Sequence, residues 1–199
     1  MGVNLIPEVN IDSLIILERE FIKFGTPPSS PKQVPDGSVE DGCTTYGIHK
    51  ILKFDMYCKN IGNEELIIGD RNNDSLFKNS IVHGRIFKYP FFRYALLNTS
   101  GKEYVTLKHP FCLTDDRGDC NDQRIGPNRM DAYTRDHQCQ FIVIDGIQSG
   151  DYILEATVNY FTLKVINDEQ IGFIIKEDKY DDNTTRIPVT INGDLILPQ

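Results

Sequence analysis

Between Ile51 and Lys59 the side chains alternate. Leu52, Phe54, Met56 and Cys58 are apolar, while Lys53, Asp55, Tyr57 and Lys59 between them carry charge or a hydroxyl. A period of two puts one set on each face of an extended chain, so this stretch can bury a face only as a β-strand. Other short runs repeat the theme. Residues 12–18 and Glu65–Gly69 read as strands. Phe92–Leu97 and Glu103–Leu107 flank Asn98-Thr-Ser-Gly-Lys102 and predict a hairpin turning at the glycine. Phe141–Asp145 and Tyr152–Asn159 flank Ser149-Gly-Asp151 and predict a second hairpin. Further β runs are expected over Thr162–Ile166, Gly172–Ile175 and Ile187–Ile191, and no segment carries a helical stripe of useful length. Many short strands broken by Gly, Pro and Asn predict an all-β sandwich. Residues 25–42, with Thr-Pro-Pro-Ser-Ser-Pro and Val-Pro-Asp-Gly, read as a loop. The segment before it is too short to fold alone, so one domain over residues 1–199 is expected.

Composition sets the partners. With 40% hydrophobic and 25% charged residues the chain has enough apolar side chain for a core. The net charge of −8 argues against nucleic acid, whose phosphates are held by clustered Lys and Arg, and leaves protein partners as the expectation. No apolar run reaches the length of a membrane helix. The first residues, Met1-Gly2-Val3-Asn4-Leu5, lack the basic and apolar regions of a secretory leader, which predicts an intracellular protein or a mature form. Five cysteines leave at least one unpaired, and none stands in a Cys-x-x-Cys zinc pattern. Cys112 and Cys120 are close enough along the chain to bridge if the protein matures outside a reducing compartment.

Several ordered blocks carry a resemblance. Cys139-Gln140-Phe141 leads through Ser149-Gly150-Asp151-Tyr152 to Val158-Asn159. Upstream stand Leu52-Lys-Phe-Asp55, Asn60-Ile-Gly62, Leu66-Ile-Ile-Gly69 and Phe111-Cys112-Leu113, and downstream Glu177-Asp-Lys-Tyr180-Asp181-Asp182-Asn183. Together, from about Pro7 to Ile191, these resemble the lysyl oxidase family, copper amine oxidases that oxidise the ε-amine of lysine with a quinone made by linking a Lys to a Tyr. The resemblance implies a lysyl-oxidase-like β-sandwich with long irregular loops. It places the quinone lysine at Lys108, three before Phe111, and the quinone tyrosine at Tyr133, six before Cys139. It places the copper motif Cys-His-x-His-x-His on Val82-His83-Gly84-Arg85-Ile86-Phe87, so His83 is the sole family ligand kept. Copper needs several imidazoles converging on one point. Arg85 has no lone pair to offer and a permanent positive charge, and Phe87 cannot ligate.

The resemblance therefore implies a non-catalytic binding or assembly role, as in a virion or other large particle, with no cofactor expected. An active protein-lysine oxidase using copper and a Lys–Tyr quinone is the alternative, with His49, His109 and His137 as the other imidazoles in the chain. Read simply as residues, His83 is a hydrogen-bonded strand residue, Lys108 a solvated strand-end lysine and Tyr133 a half-buried loop tyrosine. The family's disulfide partners are lost at Val82 and Arg129, which implies that Cys139 is a free thiol. The acidic run Asp115–Asp122 lacks the ligand order of a calcium loop, and it contains Arg117-Gly118-Asp119, a short adhesion-type tripeptide. Asn73, Asn98 and Asn183 begin glycosylation sequons, relevant only to a secreted protein.

Overall fold

The computed structural model describes residues 2–162 and 175–199. Its strands are β1 (Leu5–Phe21), β2 (Gln33–Val34), β3 (Gly47–Asn60), β4 (Leu66–Gly69), β5 (Phe77–Ser80), β6 (Gly84–Phe87) and β7 (Phe92–Asn98). They continue with β8 (Glu103–Lys108), β9 (Gln123–Ile125), β10 (Arg129–Tyr133), β11 (Phe141–Val143), β12 (Gly150–Thr157), β13 (Thr184–Asn192) and β14 (Leu195–Pro198). The fold is all-β, as the alternation predicts. One five-stranded sheet runs β10-β3-β1-β2, with β11 also on β3, and the other runs β14-β13-β12-β7-β8. Two-stranded ribbons β4-β9 and β5-β6 lie outside them.

The alternation in β3 does what its pattern demands. Leu52, Phe54, Met56 and Cys58 are fully buried, and they share one core with Phe92, Tyr94, Leu96 and Leu154 of the second sheet. Phe54 meets Tyr94 edge-on with ring centroids 5.1 Å apart, an aromatic contact that bolts the first sheet to the second. A smaller cluster of Phe21, Ile51 and Phe141 is covered by Val34, Val39 and Cys43 from the Pro/Gly-rich loop.

Three expectations need correction. The strand near residues 12–18 extends over the whole of β1, because Leu5, Val9, Ile16 and Phe21 are buried along it despite the irregular register between Asn10 and Ile15. The hairpin expected of residues 141–145 and 152–159 does not form. Strand β11 pairs with β3, while β12 pairs with β7 and β13, so the turn between them crosses from one sheet to the other. Cys139 is not a free thiol: it is bonded to Cys43, 96 residues earlier, and the free cysteine is the buried Cys58. A partner outside the family pattern took the place of the missing one. Cys112 and Cys120 are bonded, with Cα atoms 5.1 Å apart. Of the β runs expected over 162–166 and 172–175, residues 163–174 lie outside the described residues, and residues 160–162 form a helical turn.

Phe54→Ala should destabilise the protein by about 3–5 kcal/mol, the usual cost of deleting a large aromatic from a close-packed core. Denaturant unfolding monitored by intrinsic tyrosine fluorescence would register this as a lower midpoint.

Candidate functional site

Strand β8 faces the wrong way for its composition. Val105 and Leu107 point to solvent, while Thr106 and Lys108 point inward. The register with β7 enforces this, because Tyr94 and Phe92 opposite Thr106 and Lys108 belong to the core. Lys108 therefore ends up 4% exposed, not solvated at a strand end. Its Nζ donates to Gln140 Oε1 at 3.0 Å and lies 4.4 Å from the centroid of the Tyr133 ring. Tyr133 is likewise buried, at the end of β10, and its hydroxyl donates to the Cys112 carbonyl at 2.7 Å. The ring packs against Phe92 at 4.8 Å. Two residues that the sequence separates by a long, disulfide-bonded loop are thus in direct contact.

The electrostatics follow from burial. Desolvation pulls the Lys108 ammonium down to about 7, opposed by the charge of Asp131. Desolvation raises the Asp131 carboxyl to about 7 in turn, opposed by the nearby Tyr133 hydroxyl, the Thr114 amide and the charge of Lys108. Burial, then Asp131, pushes the Tyr133 phenol well above its ordinary value. Gln140 joins the pair to the core: its amide oxygen also accepts from Tyr94 Oη at 3.0 Å, while its buried Nε2 has no partner among the described residues.

His83 lies in the turn before β6, not within a strand. Its Nε2 donates to Gln138 Oε1, and its ring stacks on Phe111 at 4.3 Å. His83, His109 and His137 line one crevice with Lys108 and Asp41, so the fold gathers three of the four histidines. They do not converge as ligands. His109 Nδ1 donates to the Phe87 carbonyl at 3.0 Å, and His137 Nδ1 accepts from the Thr134 amide at 3.0 Å. His49 is elsewhere, bonded to Asp145 at 2.6 Å. Arg85 reaches Asp74 and Asn79, and Phe87 packs against Phe77 at 4.7 Å. Among the described residues no group of three His, Cys, Asp or Glu side chains could hold a metal. This donor set does not fit copper.

A second polar cluster escaped the sequence reading. Glu177 accepts from Asn183 Nδ2 at 2.8 Å and from the Leu5 amide at 2.5 Å, and burial raises its carboxyl to about 7. Around it Asn4 Oδ1, Asp182 Oδ1 and Asn183 Oδ1 are buried acceptors with no partner among the described residues. The signal was present as the acidic Glu177–Asn183 block, but nothing local says that Asn4 and Leu5 join it. Arg117-Gly118-Asp119 is tied down: Arg117 Nη2 holds Asp115 at 2.7 Å, and this bond keeps the Asp115 carboxyl well below the usual range. Asp119 caps the amides of Asn121 and Asp122. Asn183 is fully buried, whereas Asn73 is exposed and Asn98 sits at the β7–β8 turn.

A family model described as Lysyl oxidase matches residues 34–196, and the chain belongs to the lysyl oxidase family. It is 29% identical to protein-lysine 6-oxidase of Rattus norvegicus over 115 residues, 52% of this chain and 25% of that protein. To lysyl oxidase homolog 1 of Homo sapiens it is 25% identical over 203 residues, 96% of this chain and 33% of that protein. The chain spans only a quarter to a third of the length of these two relatives.

Lys108→Met should stabilise the protein, and more at pH 6 than at pH 9. The folded-state value is depressed, so below about 7 the wild type pays in full for a buried cation. Between there and the unfolded value near 10.5 that penalty fades as the folded lysine becomes neutral. Melting temperatures of both proteins at the two pH values check the sign.

Proposed function

We propose that this chain is a non-catalytic member of its family, a lysyl oxidase fold kept for binding other proteins within an assembly such as a virion or other large particle. One observation carries the reading. At the positions matched to two copper histidines, Arg85 is engaged by Asp74 and Asn79, and Phe87 is part of the hydrophobic core. Neither side chain has a lone pair to offer a metal, both are engaged in structural contacts, and without copper the tyrosine has no route to a quinone. The net charge of −8 supports protein partners over nucleic acid. The two disulfides support maturation where thiols are oxidised, which a particle assembled under such conditions would satisfy.

A specific observation favours the second reading, an active lysine oxidase. Lys108 is poised against the Tyr133 ring, and with its amine brought to about 7 a large fraction is uncharged and nucleophilic at neutral pH. The resemblance makes these the two residues of the quinone, and burial would shield such a group from water. What this reading lacks, among the described residues, is a ligand set to oxidise the tyrosine.

Copper separates the two. Purified protein incubated with copper(II) and then dialysed should retain far less than one ion per chain and give no redox-cycling quinone stain. Stoichiometric copper with a positive stain would establish the oxidase.

A further inference from the structure

The Pro/Gly-rich segment between β2 and β3 is less free than its composition implies. Asp41 of this segment lines the crevice of Lys108 and His83. Asp41 accepts from Ser80 Oγ at 2.8 Å and from Gln138 Nε2 at 2.9 Å, and it stands 4.0 Å from His83 Nε2. Gly37 sits so close to Val82 that a Cβ on it would come within 2.2 Å of a valine methyl. Val39 and Cys43 rest on the small Phe21–Ile51–Phe141 cluster. Gly37 and Ser38 are buried as well, so the segment is held by both polar and apolar contacts. The covalent hold is the Cys43–Cys139 bond.

That bond ends at a sensitive place. Cys139 has φ 58°, a left-handed conformation that non-glycine residues adopt only when their surroundings impose it. The next residue is Gln140, whose amide oxygen holds Lys108, and the preceding one is Gln138, which holds both His83 and Asp41. Cys139 is buried, whereas Cys43 is half-buried, which makes Cys43 the more exposed residue of the pair. Cys112–Cys120 closes a separation of only eight residues and bonds no residue of this segment.

We propose that Cys43–Cys139 is a redox latch whose reduction by a dithiol releases residues 36–43 and opens the crevice over Lys108. A thiolate of the dithiol attacks Cys43 Sγ, the S–S bond breaks, and Cys139 leaves as a thiolate that takes up a proton. The second thiol then displaces Cys43 from the mixed disulfide. Two electrons and two protons pass to the protein, and the reductant ends as its own disulfide. The latch stands whether or not the crevice oxidises amines, since it concerns access alone.

Pulsed lysine acylation with peptide mapping tests this on the whole chain, before and after a non-denaturing dithiol, with thiol alkylation reporting which bridge has opened. Reduction of Cys43–Cys139 should raise Lys108 labelling on the order of tenfold while the near-ultraviolet spectrum of the core aromatics persists. The Cys112→Ser/Cys120→Ser variant should respond in the same way. Lys108 still protected after that bridge opens would overturn the latch. So would loss of the aromatic spectrum together with the labelling, because the bridge would then be a plain structural staple.

Discussion

Strand β3 holds three partners at once, and the placement of the candidate site depends on it. Along one edge it pairs with β1, and along the other it takes β10 at residues 56–60 and β11 at residues 51–53. These two short strands could not stay in register alone, since three to five residues offer too few hydrogen bonds and too little buried surface. Docked on one edge of β3, they bring Tyr133 from the end of β10 and Gln140 from the approach to β11 to the same Lys108 on the opposite sheet. The Cys43–Cys139 bond adds a second constraint. Closing so long a loop contributes roughly 4–5 kcal/mol on the chain-entropy model. It fixes the backbone immediately before Gln140.

Charge inside this sandwich is tolerated only where geometry answers it. Lys108, Asp131 and Glu177 are all displaced towards neutrality by burial. Each is also tied to amide groups: Lys108 to Gln140, Asp131 to the Thr114 backbone, and Glu177 to Asn159 and Asn183. Such groups cost stability and are kept where position matters more than energy. At Lys108 the position is contact with a tyrosine. At Glu177 it is attachment of the chain's first strand, through the Leu5 amide, to the end of the second sheet.

The sequence made the β class legible through β3, because alternation there is strict and one face is buried along its length. It misplaced β11 and β12, since a turn that looks like a hairpin also serves a chain changing sheets, and only long-range pairing distinguishes the two. Strand β10 was not recognised: its apolar Met130 and Ala132 alternate but face outward, while Asp131 and Tyr133 turn in, and its edge position is set by β3. Family resemblance pointed to Lys108 and Tyr133, which their residue types alone made a solvated strand-end lysine and a half-buried loop tyrosine, whereas both are buried. What buries Lys108 is the register of β8, whose inward Thr106 and Lys108 contradict its apolar residues, and what buries Tyr133 is the pairing of β10 with β3. Asn60-Ile-Gly62, part of the resemblance, has a structural explanation. Asn60 is fully buried and bonds Glu64 and Ile125, and a side chain on Gly62 would collide with the Gly2 carbonyl. The Cys43–Cys139 pair could not be read, because it departs from the family pairing and spans residues with no local relation.

The central claim is that a lysine and a tyrosine are held together in a site that cannot oxidise the tyrosine. Peptide mapping by mass spectrometry, after aerobic incubation of the folded protein with copper(II), addresses it directly. Lys108 and Tyr133 should be recovered in separate, unmodified peptides. A single species joining the two residues would contradict the claim and show that the chain makes its own quinone.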